Sequence, residues 1–403
     1  SHFAYLGSLI QINFSTMSPK RLSPLLRQLR PADLRGAAQL AVKASASVTD
    51  VVEGVHQSVL GSLGFAPAAE GQRTRGIPGL VYQGVRGVTE LVGKGLDKSL
   101  ETWASLQAET VSPDGAAREI GIAALNGVMG DCLVRDRNPL AIGMSLRAEG
   151  QSLLGNPVPA LATATDRIML FVHGLCMTDS QWRPSLEERE SVDLSEVVAR
   201  HLGYTPVFVR YNTGLHTSQN GRELSRLLGE LVRAWPVAVS EISVVAHSMG
   251  GLVMRSAMQL AGQQLANWSR HVKHLVFLGT PHHGAPLERA GHWVDLILES
   301  NPYTAPFGKL AQLRSAGITD LRYGHVADAD WIGKDRFRPS PAPRAIVPLP
   351  QGVACYAVAA TTSASRGVLA DHLVGDGLVP VNSALGHHRD PKRRLLFKPS
   401  AQR

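Results

Sequence analysis

Ser248 stands in the segment ISVVAHSMGG, residues 242–251, which carries the strongest chemical signal in the chain. An apolar run rich in β-branched residues leads straight into the serine, and Leu252, Val253 and Met254 follow as the start of a helix. A serine hydroxyl attacks acyl carbonyls when it is held within reach of a base. Holding it above a sheet takes a very sharp strand-to-helix turn, in which the residues two before and two after must be small or their Cβ atoms collide. Ala246 and Gly250 meet that demand, and Gly251 adds room. The start of a helix also favours negative charge nearby, through its dipole and its free N–H groups.

An attacked carbonyl develops an oxyanion, and two fixed N–H donors must meet it. The helix start offers the N–H of Met249. The segment FVHGLC, residues 171–176, closes an earlier strand with a His-Gly turn and offers the N–H of Leu175 as the second donor of an oxyanion hole. His173 reads as a residue that stabilises this turn rather than as a base. His282 and His283, in TPHHG, read as residues that line or support the pocket. They lack a third ligand at sensible spacing, so no metal is expected.

Five motifs fall in one order along the chain: VHG at 172–174, RYNTG at 210–214, AHSMGG at 246–251, LGTPHHG at 278–284 and GDGLVP at 375–380. With them the sequence resembles the bacterial lipase/esterase branch of the α/β hydrolases, and the related lipase-like domains of GPI inositol deacylases, over about 170–380. The resemblance implies ester hydrolysis through a catalytic triad in which an aspartate orients a histidine base. It places the acidic member in an Asp-Gly-Leu-Val turn, which Asp376 matches. Asp376 also follows the apolar run 355–360, in the Ser…Asp…His order of that fold. Asp371 and Asp320 are weaker candidates. A histidine should follow the last strand, for which residues 394–398 are the best match, yet only His387 and His388 lie beyond Asp376, and both precede that run. Either the chain is truncated and its base lies past Arg403, which would leave it catalytically incomplete as it stands, or His387 or His388 serves. No cofactor is required. The expected substrate is an acyl ester or a lipid-like molecule. Acyl transfer to an alcohol on the same fold is the alternative within enzymes. A non-catalytic module for a membrane surface or a partner is the alternative outside them.

The elements that must position these residues are legible in the same rows. Short β-branched runs at 168–172, 207–210, 242–246, 275–278 and 355–360 alternate with helical stretches such as 221–235, where Leu224, Leu227, Leu228 and Leu231 share one face. Buried runs separated by helices imply a mostly parallel sheet covered on both faces, an α/β architecture. Residues 285–345 interrupt that rhythm with amphipathic pieces and a proline-rich run, as a cap or lid insertion would. Residues 139–403 thus read as the hydrolase domain. Residues 31–138 read as an N-terminal helical region, with a hairpin built from apolar stripes at 41–59 and 81–103.

Residues 1–30 read as a basic tail, in which Met17 opens a plausible reading frame. The net charge is +8, and basic residues cluster near both ends, as a soluble surface or contact with an anionic membrane would have it. Aromatic residues make up 5% and do not interleave with those clusters, which argues against nucleic-acid stacking. Three scattered cysteines, Cys132, Cys176 and Cys355, form no disulfide framework, so a reducing, cytoplasmic setting is expected, with membrane association as an extension. No stretch of the sequence is apolar and long enough to span a bilayer.

Overall fold

The computed structural model describes residues 30, 32–43, 116–154, 164–182, 197, 201–285, 315–336, 344–360 and 379–402. The basic tail, both apolar stripes of the N-terminal hairpin beyond 43, much of the 285–345 insertion, Asp371 and Asp376 lie outside these residues. The chain divides into two compact units: Ser1–Arg118 with Asn138–Leu140, and Glu119–Arg137 with Ala141–Arg403. In the first, a helix spans 32–43. Its buried Asp33 takes both arms of the Arg118 guanidinium, at 2.6 and 2.7 Å, a paired arrangement that a buried carboxylate requires.

The second unit holds a seven-stranded sheet. Its strands are β1 (Ser145–Ala148), β2 (Gln151–Ser152), β3 (Arg167–Val172), β4 (Thr205–Arg210), β5 (Glu241–His247), β6 (Val272–Leu278) and β7 (Ala354–Val358), in the order β2-β1-β4-β3-β5-β6-β7. The pairs β3–β4, β3–β5, β5–β6 and β6–β7 are parallel, while β1 is antiparallel to both β4 and β2. The five expected strands are all present. The antiparallel edge pair is additional: β1 alternates over only four residues and β2 has two exposed ones, too few to leave a period in the sequence.

Alternate residues of the central strands face opposite layers. Ile168, Leu170, Val172, Val244 and Ala246 pack with Leu224, Leu228 and Leu231 of helix α2 (Thr217–Ala234) and with Val253 and Ala257 of helix α3 (Met249–Gln264). Met169, Phe171 and Phe208 form a separate cluster with Tyr204. Each fully buried leucine contributes about 1.5–3 kcal/mol through removal from water. Helix α2 starts one turn earlier than the leucine spacing suggests, because the Gln219 side chain accepts from the His216 N–H at 3.2 Å and closes its first turn. This sheet order, with the strand–turn–helix at Ser248, is the α/β-hydrolase fold expected from the motifs.

Two elements depart from the sequence reading. Residues 394–398 form no strand. Leu395 and Phe397 are buried and Leu396 is 87% exposed, so the alternation is present. A ladder also needs a neighbouring backbone, and the chain reaches β7 only in one parallel bridge between Ala357 and Gln402. Helix α1 (Ala116–Arg135) falls in the region read as N-terminal helices, yet from Glu119 onward it belongs to the compact unit of the sheet. Glu119 pairs with Arg210 at 2.6 Å. Gly130 O accepts from Asn212 Nδ2 at 3.1 Å, and Gly127 O from Ser315 Oγ at 2.6 Å.

Among the described residues, no helix is long and apolar enough to cross a membrane.

Candidate active site

Ser248 caps the N-terminus of α3 at φ 50°, ψ −120°, one of few non-glycine residues with positive φ. β5 and α3 flank it without a gap, so the turn must complete its reversal within this single residue. Two hydrogen bonds hold it: Ser248 N–H donates to Leu278 O at 2.8 Å, and Gly251 N–H donates to Ser248 O at 3.0 Å. The small-residue requirement read from the motif is visible in the packing. A Cβ on Gly250 would lie 2.5 Å from Val172 O and 2.6 Å from His173 O, inside any allowed contact. Ala246 is fully buried, in register with Val172 on one side and Phe277 on the other. Ser248 itself stays partly exposed. Its Oγ has no hydrogen-bond partner among the described residues.

The His-Gly turn meets this serine. A Cβ on Gly174 would lie 3.1 Å from Ser248 Cβ, so the absence of a side chain there lets the loop after β3 lie against Ser248. The turn is closed by Met177 N–H donating to Gly174 O at 3.3 Å. The N–H groups of Leu175 and Met249 find no partner among the described residues, although both residues are buried. For Met249 this is the ordinary state of a helix start, whose first N–H groups have no intrahelical partner.

His173 sits under this loop. It is fully buried and stacks on Tyr211, with ring centroids 4.4 Å apart. Its Nδ1 donates to Gly174 O at 3.0 Å. Burial pushes its pKa down to about 4, so the ring is neutral at physiological pH and supports the turn. The RYNTG motif supplies the rest of the scaffold. Tyr211 Oη donates to His173 O at 2.7 Å, and Thr213 Oγ1 accepts from Cys176 N–H at 3.1 Å. Asn212 Oδ1 accepts from Gly214 N–H at 2.9 Å.

A helix from the insertion completes the wall. Helix α4 (Ala316–Tyr323) buries Ile318 and Leu321 against Leu175, Met249 and Leu252, together with Ala124 and Val128 of α1. Helix α4 of the insertion is therefore core structure that packs on Met249, next to Ser248. On this wall lies Asp320, a weaker candidate for the acidic member in the sequence, at the centre of a histidine cluster that the sequence did not reveal. Asp320, fully buried, accepts from His216 Nδ1 and His325 Nδ1, each at 3.1 Å, and from Thr217 N–H at 2.7 Å. Burial alone would raise its pKa, but the hydrogen bonds from the two imidazoles hold it below the usual carboxylate range. His216 also stacks on Trp331, with centroids 3.7 Å apart. Position 216 is about a hundred residues from its partner, and no sequence period links them.

The two candidate bases lie near the C-terminal end of the chain. His387 is exposed; its Nδ1 is 3.4 Å from Asn382 Oδ1 and its Nε2 is 3.3 Å from Gln402 Nε2. His388 Nδ1 accepts from Asp390 N–H at 3.0 Å, which puts the proton of the neutral ring on Nε2. Neither ring is hydrogen-bonded to Ser248. The ring of His388 lies 4.8 Å from that of His283. His282 and His283 line a small basic cavity. Among the described residues there is no cluster of three or more groups that could hold a metal ion.

Residues 147–319 match a family model described as a domain of unknown function (DUF7379). A comparison with curated proteins finds no match. Solved structures similar to this chain include a lipase of Bacillus licheniformis in its mature form, at 19% identity over 64% of this chain and 89% of that one, with a TM-score of 0.35. The phospholipase PlaB of Legionella pneumophila is similar at 17% identity over 54% of this chain and 45% of that one, with a TM-score of 0.32. An esterase of Pyrobaculum calidifontis is similar at 14% identity over 62% of this chain and 76% of that one, with a TM-score of 0.28.

Proposed function

We propose that this protein is a serine hydrolase that cleaves carboxylic esters of lipid-like acyl groups through an acyl-enzyme on Ser248. One observation carries the reading: a left-handed serine at a strand–helix turn lies against a loop and a helix start that each hold out an unpaired N–H. In this mechanism Ser248 Oγ attacks the ester carbonyl, and its proton passes to a histidine. The N–H groups of Leu175 and Met249 receive the oxyanion, and each such donor is worth roughly 10²–10³ in rate. The tetrahedral intermediate collapses, the C–O bond to the leaving alcohol breaks, and the histidine returns its proton to that alcohol. Water then repeats the sequence on the acyl-enzyme and frees the acid. Asp376 is assigned to orient the histidine. The base is assigned to the C-terminal histidine pair, His387 or His388; the role requires that ring to reach Ser248 Oγ with an unprotonated Nε2 and to turn its Nδ1–H to a carboxylate.

The decisive experiment is labelling with a fluorophosphonate probe alongside hydrolysis of p-nitrophenyl esters of graded chain length. Wild type should label and turn over, and Ser248→Ala should do neither while keeping its circular-dichroism spectrum. Equal labelling of the alanine variant would remove Ser248 from the chemistry.

A further inference from the structure

Beyond the esterase reading, and independent of it, we infer that the cavity lined by Arg255, Arg344, Lys392, Arg393, His282 and His283 is a binding site for a phosphate group. The cavity measures about 60 Å³. That is several times the roughly 10–15 Å³ that admits one water, and it suits a small tetrahedral oxyanion rather than an acyl chain. No carboxylate is among its described lining residues.

Arg255 makes the case. It projects from α3 seven residues beyond Ser248, about 10 Å along the helix axis at ~1.5 Å per residue, so the cavity is a place apart from the nucleophile. The residue is 5% exposed. Its Nη2 donates to Val347 O at 2.5 Å, and its Nη1 lies 3.5 Å from His282 Nδ1. Its Nε has no partner among the described residues. Arg344 likewise meets only neutral acceptors: Gly324 O at 3.1 Å, His282 O at 3.4 Å and His283 Nδ1 at 3.4 Å. Neither guanidinium forms an ion pair among the described residues. Asp330, the carboxylate whose charge reaches both, is spent elsewhere. Its Oδ2 accepts from the N–H groups of Val326 and Ala327, and its Oδ1 from that of Ala345.

Buried charges are paired or hydrogen-bonded as a rule, because an uncompensated one costs several kcal/mol. Two guanidinium groups that share a cavity, with one nearby carboxylate that contacts neither of them, therefore call for an anion. Burial, with Arg344 beside it, lowers the pKa of Arg255 to about 10. The histidines cannot supply the missing negative charge, and both are held neutral by burial. Asp330 offsets one of the two guanidinium charges and Asp390 lies 3.6 Å from Arg393, so the cavity keeps a net positive charge that favours an anion, and guanidinium forks match phosphate geometry. The phosphate could be free or carried on a lipid headgroup.

Calorimetric titration of the full chain with inorganic phosphate at constant ionic strength tests the site. A parallel flotation assay uses phosphatidylcholine vesicles with and without phosphatidic acid. The expected result is one saturable phosphate per chain, weakened at least tenfold by Arg344→Gln and by Arg255→Met. Absence of free-phosphate binding, with phosphatidic-acid retention that needs both arginines, would support the same site and identify the lipid as its source. If neither probe binds, or if both variants bind as wild type does, the inference is wrong. Should Arg255→Met fail to fold, the partly exposed Arg344 decides the matter alone.

Discussion

Glycine at position 248 should make the protein more stable than alanine does, although both variants are inactive. Ser248 is held at φ 50°, ψ −120°, where a residue with a Cβ pays on the order of 1–3 kcal/mol in backbone strain. Ser248→Ala removes the hydroxyl and keeps the Cβ, and with it the strain. Ser248→Gly removes both. Glycine also loosens the unfolded chain, at a cost of about 0.4–1 kcal/mol relative to alanine. The difference leaves the glycine variant ahead by about 1 kcal/mol, or about 2 °C in Tm for a domain of this size. Differential scanning calorimetry on wild type and both variants, at one pH and scan rate, reads this directly. A glycine variant that melts below the alanine variant would show that the turn is unstrained, and the argument that this conformation positions a nucleophile would lose its footing.

Gly250→Ala should abolish fluorophosphonate labelling and lower stability by about 1–3 kcal/mol, because its Cβ would press on Val172 O and His173 O and drive α3 away from β3; unchanged labelling would contradict the packing argument. Asp376→Asn should lower kcat by roughly 10⁴ with little change in Tm, as neutralising a triad aspartate does; a loss under tenfold in steady-state assays would move the orienting role to Asp371 or another residue. Stability should fall as pH drops from about 6.5 towards 4. In that window the unfolded chain protonates His173 at its ordinary value of 6.5, while the folded chain keeps it neutral down to about 4. The unfolded state then binds more protons, so the penalty is absent above pH 6.5 and reaches about 3 kcal/mol by pH 4 for His173 alone. Urea unfolding at a series of pH values, with His173→Phe as the variant that should flatten the slope, measures it.

The parallel strands and the turn at Ser248 were legible in the sequence because the constraints that make them are local. A strand buried on both faces reads as a continuous apolar run; β3 does so from Ile168 to Val172, β5 across its middle apart from Ser243, and β6 only from Leu275 onward. The turn confines its demand for small residues to positions 246–251, so it survives in a string of letters. The Leu175 loop was legible for the same reason: Gly174 leaves the space that Ser248 fills.

Partnership across long separations was decided by the tertiary structure. Helix α1 reads as a helix from its composition, but nothing in its period says that Gly127 and Gly130 meet Ser315 and Asn212. Residues 394–398 carry a true alternation of buried and exposed side chains, which the sequence reports, and form no strand ladder among the described residues, which it cannot report. Asp320 gathers His216 and His325, and Arg255 and Arg344 come to one cavity from separate elements. A residue's side-chain period states which face is buried. Which charge or backbone arrives on that face depends on the path of the whole chain, and there the energy of a polar contact is set by its partner rather than by the residue itself.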